Sequence, residues 1–247
     1  LSHMIGIGWD VGGWMGSNHG IAVCKWKHNS FHWLGKLKEV SIPKRSLISF
    51  NDLITGFEKE IESASKVVIG VDAPLGIPED FINLQNDKFT FVRPDREIEN
   101  PLAYRFTDRH IYKVLGKKPL SATFDRLGNN YTVAMVHCKK WCYENSFVIH
   151  PFEIQDNYRE IIEVYPAIFK TILNDLNLSY QIEFIKSLLP DDLYERSHSY
   201  DAALCAIMAL CYSMRYTTSK LPTLVEPPEN PKIRTEGWIY YLNTLYN

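Results

Sequence analysis

The chain has 247 residues, of which 45% are hydrophobic and 23% charged, with a formal net charge of -2 at pH 7. That length suits one large domain, or a core carrying a sizeable insertion, and it can bury a core without disulfide staples. The near-neutral charge argues against tight nonspecific binding of long nucleic acid, which needs a basic face, and no apolar run of about 18 residues offers a membrane span.

Five cysteines, an odd number, read as reduced thiols and point to a cytoplasmic setting. The opening Leu1-Ser2-His3-Met4 lacks the charged region and apolar stretch of a signal peptide. Residues 1–3 read as a cloning remnant, which leaves a single domain over 4–247.

Residues 4–10 form a predicted strand with a glycine-spaced apolar core, and 11–20 a glycine-rich turn. A second strand follows over 20–27, and Asn29-Ser30 turns the chain into a third, from Phe31 to about Ser41. Two short connections favour antiparallel pairing. Apolar residues at 47, 48, 50, 53, 54, 57 and 61 have helical spacing, so 46–65 is a predicted helix. Residues 67–72 are apolar until the final aspartate, as in a parallel strand buried on both faces. The stretch 74–158 is too long for a simple crossover. Its helical signals, at about 101–116 and 122–143, mark an insertion packed over the site side of the sheet. A fifth strand at 160–164 then leads into helices at about 166–175, 179–189 and 199–216. Prolines at 222, 227, 228 and 231 make 221–232 extended, and 236–241 adds a last short strand.

Acids end these elements. Asp10 closes Ile5-Gly6-Ile7-Gly8-Trp9, Asp72 closes Val67-Val68-Ile69-Gly70-Val71, Glu163 lies inside the fifth strand, and Asp201 opens the last long helix. A desolvated carboxylate needs a cation, a proton or hydrogen-bond donors. Acids gathered at the carboxyl edge of one sheet suit a hard divalent cation such as Mg2+ or Mn2+.

The order of elements resembles the ribonuclease H-like pattern: a strand hairpin, a third strand, a helix, a buried strand, then helices. More narrowly, Gly8-Trp9-Asp10-Val11-Gly12-Gly13-Trp14, Gly70-Val71-Asp72-Ala73-Pro74-Leu75-Gly76-Ile77-Pro78 and Arg105-Phe106-Thr107-Asp108-Arg109 carry a second likeness. With them go Glu163-Val164-Tyr165-Pro166-Ala167, Asp201-Ala202-Ala203 and Glu236-Gly237-Trp238-Ile239. This ordered set, spread over nearly the whole chain, is similar to the domain of unknown function 429 family, described as predicted ribonuclease H-like nucleases. The resemblance implies an α/β fold: a mixed sheet of three antiparallel and two parallel strands flanked by helices, with a helical insertion between strands four and five. It implies a metal site at Asp10, Asp72 and Asp201. His198-Ser199-Tyr200-Asp201-Ala202 also resembles a His-x-x-Asp-Ala segment of Holliday-junction resolvases, where both residues lie at the metal site.

Several residues keep two readings. Glu163 is either a further metal ligand or an acid paired with Arg105 or Arg109. Arg105 and Arg109 are either a clamp on phosphate, which suits guanidinium forks, or rungs of a salt-bridge ladder with Asp108. His198 orients Asp201 or a water molecule, or is a solvated or capping histidine. Asp201 is expected on the sheet-facing side of its helix, above the apolar residues 204, 205, 208, 211 and 212. Trp9 and Trp14 flank Asp10 and either stack on a base or belong to the core. Cys138 and Cys142 have the spacing of a zinc half-site or of buried thiols. Glu236 suits a structural role as well as a chemical one.

The expected function is metal-dependent phosphodiester hydrolysis, with Asp10, Asp72, Asp201, Glu163 and His198 as catalytic candidates and Arg105, Arg109 and Trp14 as substrate-binding ones. A nucleic acid or nucleotide is the expected partner. The alternatives are an actin-like ATP-binding phosphotransferase, whose first phosphate loop the Asp10-x-Gly12-Gly13 turn resembles, and a non-catalytic nucleic-acid or nucleotide-binding module.

Overall fold

A computed structural model describes residues 3–15, 18–88, 90–125, 127–174, 179–191, 193, 195 and 197–243. It is an α/β protein built on one mixed sheet. Strand β1 (Met4–Asp10) pairs antiparallel with β2 (His19–Lys27), whose outer edge carries β3 (Ser30–Trp33) and then β4 (Lys38–Val40). The expected single third strand is broken at Gly35, whose φ of 68° no extended strand accommodates. The expected helix over 46–65 is likewise two short ones, α1 (Phe50–Ile54) and α2 (Glu58–Glu62), parted by Gly56 at φ 91°.

On its other edge β1 pairs parallel with β5 (Lys66–Asp72), and β5 pairs parallel with β7 (Arg159–Val164). The outer edge of β7 is shared end to end by β6 (Val148–Ile149) and β8 (Ile239–Tyr240), both parallel. The sheet order is β3-β2-β1-β5-β7-β6. Helices α3 (Glu79–Gln85), α4 (Phe106–Leu115) and α5 (Leu127–Asn145) belong to the segment between β5 and β7. After β7 come α6 (Pro166–Leu173), α7 (Tyr180–Ser187), α8 (His198–Met214) and α9 (Ile233–Glu236).

The two faces of the sheet are covered differently. Ile5, Ile7, Trp9, Val67, Ile69 and Val71 point to one face and pack against α1 and against Val133, Ala134, Cys138 and Trp141 of α5. The insertion contributes to both faces: α5 supplies a core layer on this one, while Ile111 of α4 belongs to the cluster on the other, toward which the Asp10 and Asp72 carboxylates turn. The alternate residues point to the other face, where α8 crosses β1, β2 and β5. There the sheet is floored with glycine. A Cβ on Gly8 would stand 1.8 Å from the Ala202 carbonyl oxygen, and one on Gly70 would stand 2.5 Å from that of Cys205. Gly6 and Gly20 meet the backbone of Ala206 and His198 in the same way. Main chain rests on main chain, and from Ala202 to Met214 every side chain of α8 is buried. The expected apolar stripe is thus a helix buried all round.

His3, the first described residue, packs into the fold. It is buried, its Nε2 lies 2.9 Å from the Glu60 carbonyl oxygen, and its own carbonyl accepts from Ser65 N–H. Residues 1 and 2 lie outside the described residues. Among the described residues no helix is long and apolar enough to cross a membrane.

Candidate active site

Asp10 and Asp72 are direct partners in the parallel register of β1 and β5. Each shares the parity of the glycines before it, so both carboxylates turn toward α8. Asp10 also lies opposite Gly20 of β2. A Cβ at Gly20 would stand 2.1 Å from the His198 carbonyl oxygen, so its absence lets the first turn of α8 settle against the acids. Ser197 caps that turn by accepting the Tyr200 N–H.

His198, first in α8, sets its Nδ1 2.5 Å from Asp10 Oδ2. Burial raises Asp10 from 3.8 to about 6 even so; His198 and Lys170 oppose the rise, while Asp201 adds to it. Asp72 is pushed well above the ordinary carboxylate range, first by burial, then by Asp10 and Asp201. Asp201 follows one turn into α8, and its Oδ1 lies 2.5 Å from the Lys170 ammonium. The three acids expected at the site are thus electrostatic neighbours, and His198 is with them as Asp10's partner. Asp201 turns to Lys170, a residue not among the sequence candidates. Pro166 at the first position of α6 was the available signal, because it starts that helix where β7 ends and sets Lys170 one turn in.

Glu163 points the other way. By the two-residue strand period it shares the face of Ile161, opposite to that of Ile162 and Val164. Its two oxygens lie 2.7 and 2.8 Å from Arg105 Nη2 and Nη1, and one of them also accepts the Leu75 N–H. Arg105 donates further to Asp108 through Nε and Nη2, and to the Glu236 carbonyl. At 1% exposure it has no free fork for a phosphate, which corrects its expected role as a clamp. A strand acid buried beside the insertion is paired with Arg105, and the metal-ligand reading of Glu163 gives way to the ion-pair reading. Arg109 Nη1 donates to the Tyr104 carbonyl. Glu236, 1% exposed, accepts the backbone N–H groups of Glu79 and Phe106 and ties the insertion to the end of the chain.

Trp9 faces away from Asp10 and is core: it is wholly buried, 5.0 Å from Trp141 between ring centroids, and its Nε1 donates to His19 Nδ1. Trp14 is half-buried and donates to Thr132. The Gly12-Gly13 turn is not open to a phosphate, because Gly12 N–H donates to His19 Nδ1, Trp14 N–H donates to Asn129, and the Asn129 amide packs against Gly13. Burial lowers His19 to about 4, which leaves that nitrogen free to accept. Cys138 is buried in the core on α5, and burial raises its thiol.

Among the described residues no group of three or more His, Cys, Asp or Glu is arranged around one ion position. Beside Asp72 lies a slot of about 50 Å3 lined by Pro74, Pro119, Leu120 and Tyr165, room for a water or two. No family model, no curated protein and no solved structure matches the chain.

Proposed function

We propose that the chain is a divalent-metal-dependent phosphodiester hydrolase, a nuclease on a ribonuclease H-like core. One observation carries the reading: Asp10 and Asp72 stand side by side at the carboxyl ends of adjacent parallel strands, with proton affinities raised by burial and by neighbouring acids. The strand order supports it too, since a hairpin and a third strand lie on one side of β1 and parallel strands on the other.

In donor chemistry the set suits a hard cation, although among the described residues the side chains are not gathered around one ion position as they stand. Three carboxylates face one ammonium and one imidazole, so ionising all of them leaves negative charge uncompensated. Asp10, Asp72 and Asp201 would hold Mg2+ or Mn2+, and the ion supplies an acidified water and a neutralised phosphate. His198 fixes the Asp10 carboxylate through Nδ1 and leaves Nε2 for a water or a leaving oxygen. Pro74, Pro119 and Leu120 narrow the approach to Asp72 and limit bulk water. The filled Gly12-Gly13 turn weighs against the actin-like alternative.

Hydrolysis of single- and double-stranded DNA and RNA and of a nitrophenyl phosphodiester, measured with Mn2+, tests the reading. Wild-type activity should fall at least about 100-fold in Asp72→Asn. Inertness on every substrate, or activity unchanged in that variant, overturns it.

A further inference from the structure

Lys170 is the cation that holds the acid cluster when no metal is present, and we infer that a divalent ion enters by displacing it from Asp201. The inference rests on the metal reading above and deepens it. Lys170 Nζ lies 2.5 Å from Asp201 Oδ1, on the helix whose first residue, His198, touches Asp10. Arg105, the other strong cation near these strand ends, is spent on Glu163 and Asp108. A single ammonium beside three carboxylates leaves them under-compensated whenever all three are ionised.

Lys170 also has somewhere to go. Its ammonium donates to the Glu195 carbonyl at 2.9 Å and lies 5.3 Å from the centre of the Tyr200 ring. Neither contact involves an acid of the cluster, so both persist if Asp201 swings away. The side chain is 29% exposed and that of Asp201 25%, while the Asp201 Oδ1 that faces the ammonium is itself buried, so the exchange occurs just beneath the water boundary. An ammonium on a flexible four-carbon stem is held less rigidly than a guanidinium fork. Helix α8 fixes where Asp201 starts, and a change of its side-chain rotamer is all that exchange demands.

The test is Mn2+ binding to the full chain, read from the free-ion paramagnetic resonance signal, in wild type and Lys170→Met. Loss of the competing ammonium should tighten Mn2+ binding by at least about threefold. The metal-free variant should melt lower than wild type, with Mn2+ closing the gap, and Lys170→Arg should keep wild-type affinity. Equal or weaker Mn2+ binding by Lys170→Met overturns the displacement; the metal reading survives if Asp72→Asn still abolishes binding. No Mn2+ binding by either protein overturns the metal reading and the exchange together. A measurement on the wild type stands apart from any folding defect. The ammonium 1H–15N signal of Lys170 should shift or vanish as Mg2+ binds, and a signal unmoved at saturating Mg2+ overturns the inference.

Discussion

Two acid clusters lie near the carboxyl ends of the central strands, and they are built to opposite rules. Glu163 and Asp108 share one buried guanidinium and each accepts a backbone donor as well, contacts that for Glu163 oppose the rise burial imposes. Asp10, Asp72 and Asp201 share one half-exposed ammonium and one imidazole, and two of the three hold their protons too tightly. The first cluster is matched and closed, which is how structure uses buried charge. The second is under-matched and reaches water, which is how a site keeps room for a ligand.

Arg105→Met is the severest way to break the contrast. It strands Glu163 and Asp108 as buried, unpaired acids, and denaturant unfolding should show a loss of about 3–5 kcal/mol. Next in size is the pH dependence of the metal-free protein. Asp10 rises from 3.8 unfolded to about 6 folded, so the native state holds its proton more tightly. Its contribution is complete below about pH 4 and is lost as pH climbs through about 6, a change of about 3 kcal/mol. Unfolding of wild type and Asp10→Asn across that window measures it: the two curves should diverge as pH rises, with the variant becoming the more stable. The smallest effect is on Asp72→Asn. Removing a disfavoured charge should stabilise the metal-free protein at neutral pH by about 1 kcal/mol. A destabilised Asp72→Asn would mean that the second cluster is matched after all and that the contrast is false.

Asp10 and Asp72 were legible because an apolar run that stops at an acid is a local pattern, and adjacent parallel strands make such stops meet. Asp201 was legible as the acid at the mouth of an alanine-rich helix. Lys170 was not, because its reach depends on how α6 lies against α8, which no periodicity encodes. The partner of Glu163 stayed open for the same reason: strand parity gives a direction, yet Arg105 arrives from a long insertion. Trp9 shows parity deciding a case, since its position next to Asp10 in the chain is what sends it to the other face. β6 and β8 have two residues each, too short for alternation to register, although 236–241 carried enough apolar character to suggest the latter. Gly8 and Gly70 were visible as spacers in apolar strands, but not as a bed for a helix.

That bed has a consequence for the chemistry. Where α8 lies on β1 and β5, no side chain intervenes at Gly8 or Gly70 to act as a cushion, so the helix origin and the strand tips form one rigid jig. The spacing between the roots of Asp10, Asp72 and Asp201 is therefore dictated by backbone thickness alone. Evolution can vary hydrophobic residues elsewhere in the interior without retuning that spacing, and whatever adjusts on ligand arrival must do so through the terminal torsions of the acids themselves.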